Sequence, residues 1–310
     1  MIFSAEIIAI SILNVIFIIF SFIALVISIK IFYKWDINST TKTQYNLEKN
    51  SFLGATIIKY IFFLKIPLFI FFVFTLDEIS NILTGAMCGA GVIDATRSGI
   101  YLLILKIINL YIFALWISIH YKDIANEELP FTKYKFGIFI IIFWLLIGEI
   151  YLEFLFFSSL DVNKLVSCCG SLYSSSATSY LSNIFNIPSS IIISIFYFNF
   201  ISMIALIKYK YPFIISNILF IITSIVSLII FFSTYIYQLP SHHCPFCILQ
   251  KDYYYIGYIL YSSLFIGTFN GISSFINPKS KRVSIIFNSI YTVIISLYVV
   301  IFYIRNGVWL

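Results

Sequence analysis

Residues Ile7 to Tyr33 read IIAISILNVIFIIFSFIALVISIKIFY. This run is longer than the roughly 7–15 apolar residues at the core of a cleavable signal. It also exceeds the roughly 20 that a helix needs to cross a hydrocarbon layer. We read it as a retained membrane span. The same test along the rest of the chain predicts spans near 55–77, 98–120, 136–158, 188–208, 212–236, 254–276 and 285–304, eight in all with the first. The expected fold is all-α, a polytopic integral membrane helix bundle forming a single transmembrane domain over residues 1–310.

Composition agrees. The chain is 61% hydrophobic and 10% charged, against about 25% charged in an average soluble domain, which excludes a water-soluble fold of this size. The formal net charge of +6 does not point to nucleic acid, because no basic run is long enough for that role, and the distribution of Lys and Arg sets topology instead. Lys30, Lys34, Lys42, Lys49, Lys122, Lys133, Lys135, Lys208, Lys210, Lys279, Lys281 and Arg282 lie at one set of span ends, against Arg97, Lys164, Lys251 and Arg305 at the other. The positive-inside rule puts the first set in the cytoplasm, with both termini and the loops 78–97, 159–187 and 237–253 outside. The expected location is a bacterial cytoplasmic (inner) membrane, with the lipid bilayer as the first partner.

Every cysteine falls in those three outer loops: Cys88, the vicinal pair Cys168 and Cys169, and Cys244 with Cys247. Thiols that served only as small packing residues would be scattered through the spans. The outer face is also where disulfides persist. In Ser241-His242-His243-Cys244-Pro245-Phe246-Cys247, a C-x-x-C pair leading into a helix would set its first sulfur near uncapped N–H groups that favour the thiolate. Pro245 suits a first helical turn. Cys244 is therefore expected to be the more exposed, attacking thiol and Cys247 the more buried, resolving one, with an earlier cysteine, Cys168 or Cys169 in preference to Cys88, completing a relay. His242 and His243 are either solvated loop residues, aids to the thiolate or metal ligands.

The segment Cys244-Pro245-Phe246-Cys247-Ile248-Leu249-Gln250-Lys251, entering a span at the outer surface, resembles the C-x-x-C-I-x-Q-R segment of the DsbB family of quinone-linked membrane disulfide oxidases. The resemblance covers this segment alone. In that family the dithiol precedes the second of four spans, whereas here it precedes the seventh expected one. The resemblance implies that Cys244 and Cys247 are a quinone-side dithiol. It also implies that Gln250 and Lys251 lie by the cofactor, Lys251 where the family usually carries arginine, and that the electron donor is an extracytoplasmic thioredoxin-like protein.

Adjacent thiols such as Cys168-Cys169 can close a strained, oxidising disulfide or hold a soft ion such as Cu(I). Five cysteines leave at least one outside any intrachain bridge. Three functions remain open at this level. One is a membrane thiol–disulfide oxidoreductase. The second is a copper or other soft-metal transport or delivery protein that uses the same cysteines with His242 and His243 and exchanges with a metal carrier. The third is a non-catalytic subunit with structural disulfides.

Few ionisable residues interrupt the spans: Lys59 and Lys65 in the second, Lys106 in the third, Glu149 and Glu153 in the fourth. Charges at membrane depth are costly and take partners. Lys106 and Glu149 fall at similar depth, and Glu149 and Glu153 share a helical face. A buried ion pair of Lys106 with one of these glutamates is expected, serving either helix packing or a proton path. No P-loop, dinucleotide fingerprint, zincin helix or Ser-His-Asp arrangement occurs.

Overall fold

The computed structural model describes residues 4–36, 39, 41–126, 129–161, 166 and 188–310. Its first helix, α1 (Ala5–Lys34), starts where the Ser4 hydroxyl accepts the Ile7 N–H at 3.4 Å, which satisfies one of the donors a helix start leaves over. Its buried stripe is Ile7, Ile10, Asn14, Phe17, Ser21, Ala24, Ser28 and Ile31. Its exposed side is Ile8, Ile12, Val15, Ile19, Phe22 and Val26. A helix that is apolar along its outward side, and that turns Asn14, Ser21 and Ser28 inward, is built for lipid.

The remaining elements are α2 (Lys42–Ser80), α3 (Gly89–Asp94), α4 (Gly99–Ile124), α5 (Thr132–Ser159), α6 (Ser189–Ala205), α7 (Lys210–Ser227), α8 (Ser233–Tyr237), α9 (Ile256–Ile272) and α10 (Ser280–Asn306). Among the described residues there is no strand. Among the described residues seven helices are long and apolar enough to cross a membrane, and the chain is an integral membrane protein. Six of the eight expected spans correspond to α1, α2, α4, α5, α10 and the run Lys210–Tyr237, which joins α7 to α8 through a π-helical turn at Leu228–Phe232; a seventh is Ser189–Lys208. The expected span at 254–276 is shorter than its hydropathy suggests. Tyr254 and Tyr255 both adopt left-handed backbone (φ 54 and 55), so α9 begins only at Ile256 and runs 17 residues, about 26 Å of rise.

The chain divides into two compact units, Met1–Leu76 with Ile93–Val162, and Asp77–Val92 with Asn163–Leu310. In the first, α1 and α4 both pack on α5. The Phe62 ring of α2 stacks on Phe113 of α4 at 4.4 Å and meets Trp116 edge-on at 5.4 Å. The Trp116 indole N–H, which needs an acceptor when buried, donates to the Lys135 carbonyl at 2.9 Å.

In the second unit α9 packs on α10 and α7, and α6 on α7. Glycines make the close approach of α9 possible. A Cβ on Gly267 would fall 2.1 Å from Asn288 Oδ1, and one on Gly271 would fall 2.1 Å from Asn217 Cγ. The asparagines thus admitted form a buried polar seam: Asn217 Oδ1 accepts from Ser284 Oγ at 2.9 Å and from Asn288 Nδ2 at 3.1 Å. In hydrocarbon such side-chain bonds between helices fix register where the hydrophobic effect cannot.

Candidate functional site

The C-x-x-C segment is held as a loop. α8 ends at Gln238 in left-handed backbone (φ 56), and the chain turns back through Leu239 and His242 before reaching Cys244. The Tyr237 hydroxyl donates to the Cys244 carbonyl, and the Tyr261 hydroxyl of α9 donates to the Pro245 carbonyl at 2.6 Å. Two tyrosines thus supply the donors that two buried loop carbonyls require. A short 3-10 turn, Cys247–Leu249, follows. It lies so close to α9 that a Cβ on Gly257 would meet the Ile248 carbonyl oxygen at 2.9 Å, so glycine is needed at that contact.

The expected helix start at Cys244 is not formed. Cys244 precedes a turn, and only the three residues Cys247–Leu249 wind as 3-10. The sulfur instead receives one backbone N–H, that of Phe246 at 3.4 Å. The expected contrast in exposure is corrected too: Cys244 is 0% exposed and Cys247 4%. The reason is tertiary, since both cysteines lie in one buried apolar cluster with Phe232, Ile236, Tyr237, Ile248, Leu260 and Leu264.

Cys88 completes the cluster. It directly precedes α3, in the segment Asp77–Val92 that belongs to this second unit, and it is 0% exposed. Its Sγ lies 3.4 Å from Cys244 Sγ. That is contact distance, well beyond the roughly 2.05 Å of an S–S bond. The sulfurs of Cys88, Cys244 and Cys247 all lie within 4.8 Å of one another. Cys168 and Cys169 lie outside the described residues.

The remaining sequence candidates surround the three sulfurs without joining them. His243 Nδ1 is 3.0 Å from the Ile229 carbonyl in the π-helical turn; a carbonyl only accepts, so the imidazole proton sits on Nδ1. The His242 ring meets Tyr237 edge-on at 4.3 Å. Among the described residues, neither imidazole belongs to the group of mutually close ligand atoms that the three cysteines form. Gln250 Nε2 donates to Asp77 Oδ1 at 2.8 Å and to the Met87 carbonyl at 2.9 Å. Lys251 is exposed on the next turn. Burial, reinforced by the negative charge that Cys247 and Asp252 would carry, pushes the Tyr253 hydroxyl above the usual tyrosine range.

No family model, curated protein or solved structure matches this chain.

A second cluster lies in the first unit. Lys106 Nζ is 3.1 Å from Glu149 Oε1 and 2.9 Å from Glu153 Oε1. Lys65 Nζ shares the same Glu149 oxygen at 3.1 Å. Asn14 ties the ends together, accepting from Lys65 at 3.1 Å and donating to Glu153 Oε2 at 2.8 Å. Asn109 donates to Glu149 Oε2 at 2.7 Å. Two ammonium groups and two carboxylates balance, and every one of these side chains is buried. A pocket with room for about one water borders Lys65, Lys106 and Glu149 and is otherwise lined by Leu68, Phe69, Leu110 and Phe113. Lys59, near the middle of α2, lies over the Tyr60 ring at 5.3 Å.

Sequence reasoning missed Asn14, Asn109, Tyr237, Tyr261 and Asp77. The two asparagines were detectable as amides interrupting apolar spans. The tyrosines were not, in a chain with 23 of them.

Proposed function

We propose that Cys88, Cys244 and Cys247 form a thiol–disulfide exchange centre of a membrane oxidoreductase, on the extracytoplasmic face. The observation that carries this reading is the contact between Cys88 and the C-x-x-C pair. A Cys88 thiolate attacks Cys244 Sγ of a Cys244–Cys247 disulfide, the Cys88–Cys244 bond forms and Cys247 leaves as thiolate, with no net change in oxidation. This assigns to Cys88 the relay position that sequence had expected of Cys168 or Cys169. An external thioredoxin-like protein remains the proposed donor, and because Cys244 is buried, exchange with it requires the loop to open.

Quinone, the acceptor implied by the local resemblance, fits less well. Both amide protons of Gln250 are already committed to Asp77 and Met87, leaving none for a quinone carbonyl, so no step is routed through it.

The soft-metal reading has its own support, because three sulfurs within 4.8 Å of one another suit a three-coordinate Cu(I). One experiment separates the two. Cys247→Ser protein, isolated from membranes by acid quench and alkylation, is digested and analysed by mass spectrometry. Exchange predicts a Cys88–Cys244 linked peptide or a Cys244 adduct with a partner thiol. Alkylated Cys88 and Cys244 throughout, with copper in the protein before quench, would overturn exchange in favour of metal handling.

A further inference from the structure

We infer that Gln250 is a positioning residue that sets the approach of Cys88 to Cys244; the inference rests on the exchange reading above. The two reacting sulfurs come from segments far apart in the chain, and the Gln250 side chain spans them. It lies three residues after Cys247, and one of its acceptors is the carbonyl of Met87, the residue immediately before Cys88. Its other acceptor is the Asp77 carboxylate at the far end of the same segment. A carboxylate and a carbonyl both accept only, so the orientation of the amide is fixed by chemistry and each of its two protons has one partner.

Within this segment Leu83, Cys88 and Ala90 are buried, while the turn between Ser80 and Cys88 mostly faces solvent. Asn81, Ile82, Thr84 and Gly85 are exposed, Gly85 takes left-handed backbone (φ 91), and Met87 is 62% exposed. The Thr84 carbonyl accepts from Val166 N–H at 3.1 Å. One amide bridges both ends of this turn-rich segment to the C-x-x-C loop. Exchange demands sulfurs in contact, and a shift of an ångström at the reacting atoms is costly to rate. Breaking the bridge frees the turn that carries Met87, and with it the approach of Cys88 to Cys244.

The test uses the Cys247→Ser protein in detergent, reduced and then treated with diamide, a diazene that takes up the two electrons and two protons released as Cys88 and Cys244 join. The rate of closure is read from alkylation-quenched samples by mass spectrometry. Gln250→Glu keeps the shape but has no N–H to donate and faces Asp77 with a like charge; it should slow closure about tenfold, the loss expected of two partly exposed hydrogen bonds. Gln250→Lys restores a donor to both acceptors and should recover most of the rate, which a merely misfolded loop would not. Asp77→Ala, which removes one acceptor, should slow closure by a smaller factor. Closure of Gln250→Glu at the parental rate, or equal slowing in Gln250→Glu and Gln250→Lys, overturns the positioning role and leaves the exchange reading standing. Failure of the Cys247→Ser parent to close at all overturns both.

Discussion

Cys88 Sγ touches Cys244 Sγ at 3.4 Å although 156 residues separate them in the chain. Both are closed off from solvent, so a water-soluble maleimide should reach them only when the loop opens. In membranes, alkylation of Cys88 and Cys244 should run at least about tenfold slower than that of a Tyr254→Cys probe, whose parent side chain is 91% exposed. The difference should vanish in denaturant. Equal rates in the native membrane would show that the cluster is open in the resting state.

The charge cluster predicts a strongly non-additive pair of substitutions. Lys106→Met leaves Glu153, among the described residues, with Asn14 alone and should cost about 3–5 kcal/mol, the penalty for stranding a buried charge. Lys106→Met with Glu153→Gln removes one charge of each sign and should recover part of that loss. Thermal unfolding of the purified variants reads both. If Lys106→Met unfolds at the parental temperature, the network contributes nothing to stability.

The seam along α9 predicts that position, rather than glycine content, decides tolerance. Gly267→Ala and Gly271→Ala each drive a Cβ into an asparagine side chain at 2.1 Å and should cost about 1–3 kcal/mol from overpacking. Gly148→Ala, whose Cβ would meet only Leu105 Cδ2 at 3.9 Å, should be neutral or slightly stabilising. Thermal midpoints of the three variants in detergent check the order; a loss at Gly148 matching that at Gly271 would refute it.

Orientation is a prediction of charge distribution. Single cysteines introduced at Lys42, Lys133 or Lys279 in a cysteine-free background should react with an impermeant maleimide only from the cytoplasmic side, and one at Tyr254 only from outside. Labelling of the Tyr254 and Lys279 positions from the same side would reverse or break the proposed topology.

Hydropathy is a sum over neighbouring residues, and so α1, α4, α5 and α10 were legible at nearly their observed positions, whereas α2 begins at Lys42, well before the span expected from residue 55. Helical rise sets depth along a span, and depth alone brought Lys106 level with Glu149. Neither quantity says how a helix is rotated about its axis or which loop folds over which. Lys65, Asn14 and Asn109 therefore joined the charge cluster only once four helices had packed. Likewise the pairing of Cys88 with Cys244, the burial of a thiol that its motif marked as exposed, and the use of Gln250 as a bridge all depend on contacts between distant segments. The sequence by itself determined that this chain is a membrane helix bundle whose described cysteines lie outside the apolar spans, because those are properties of short stretches. Which sulfurs meet, and what holds them together, was decided by the tertiary structure, because side-chain contact across 156 residues depends on how the intervening helices pack and not on local spacing.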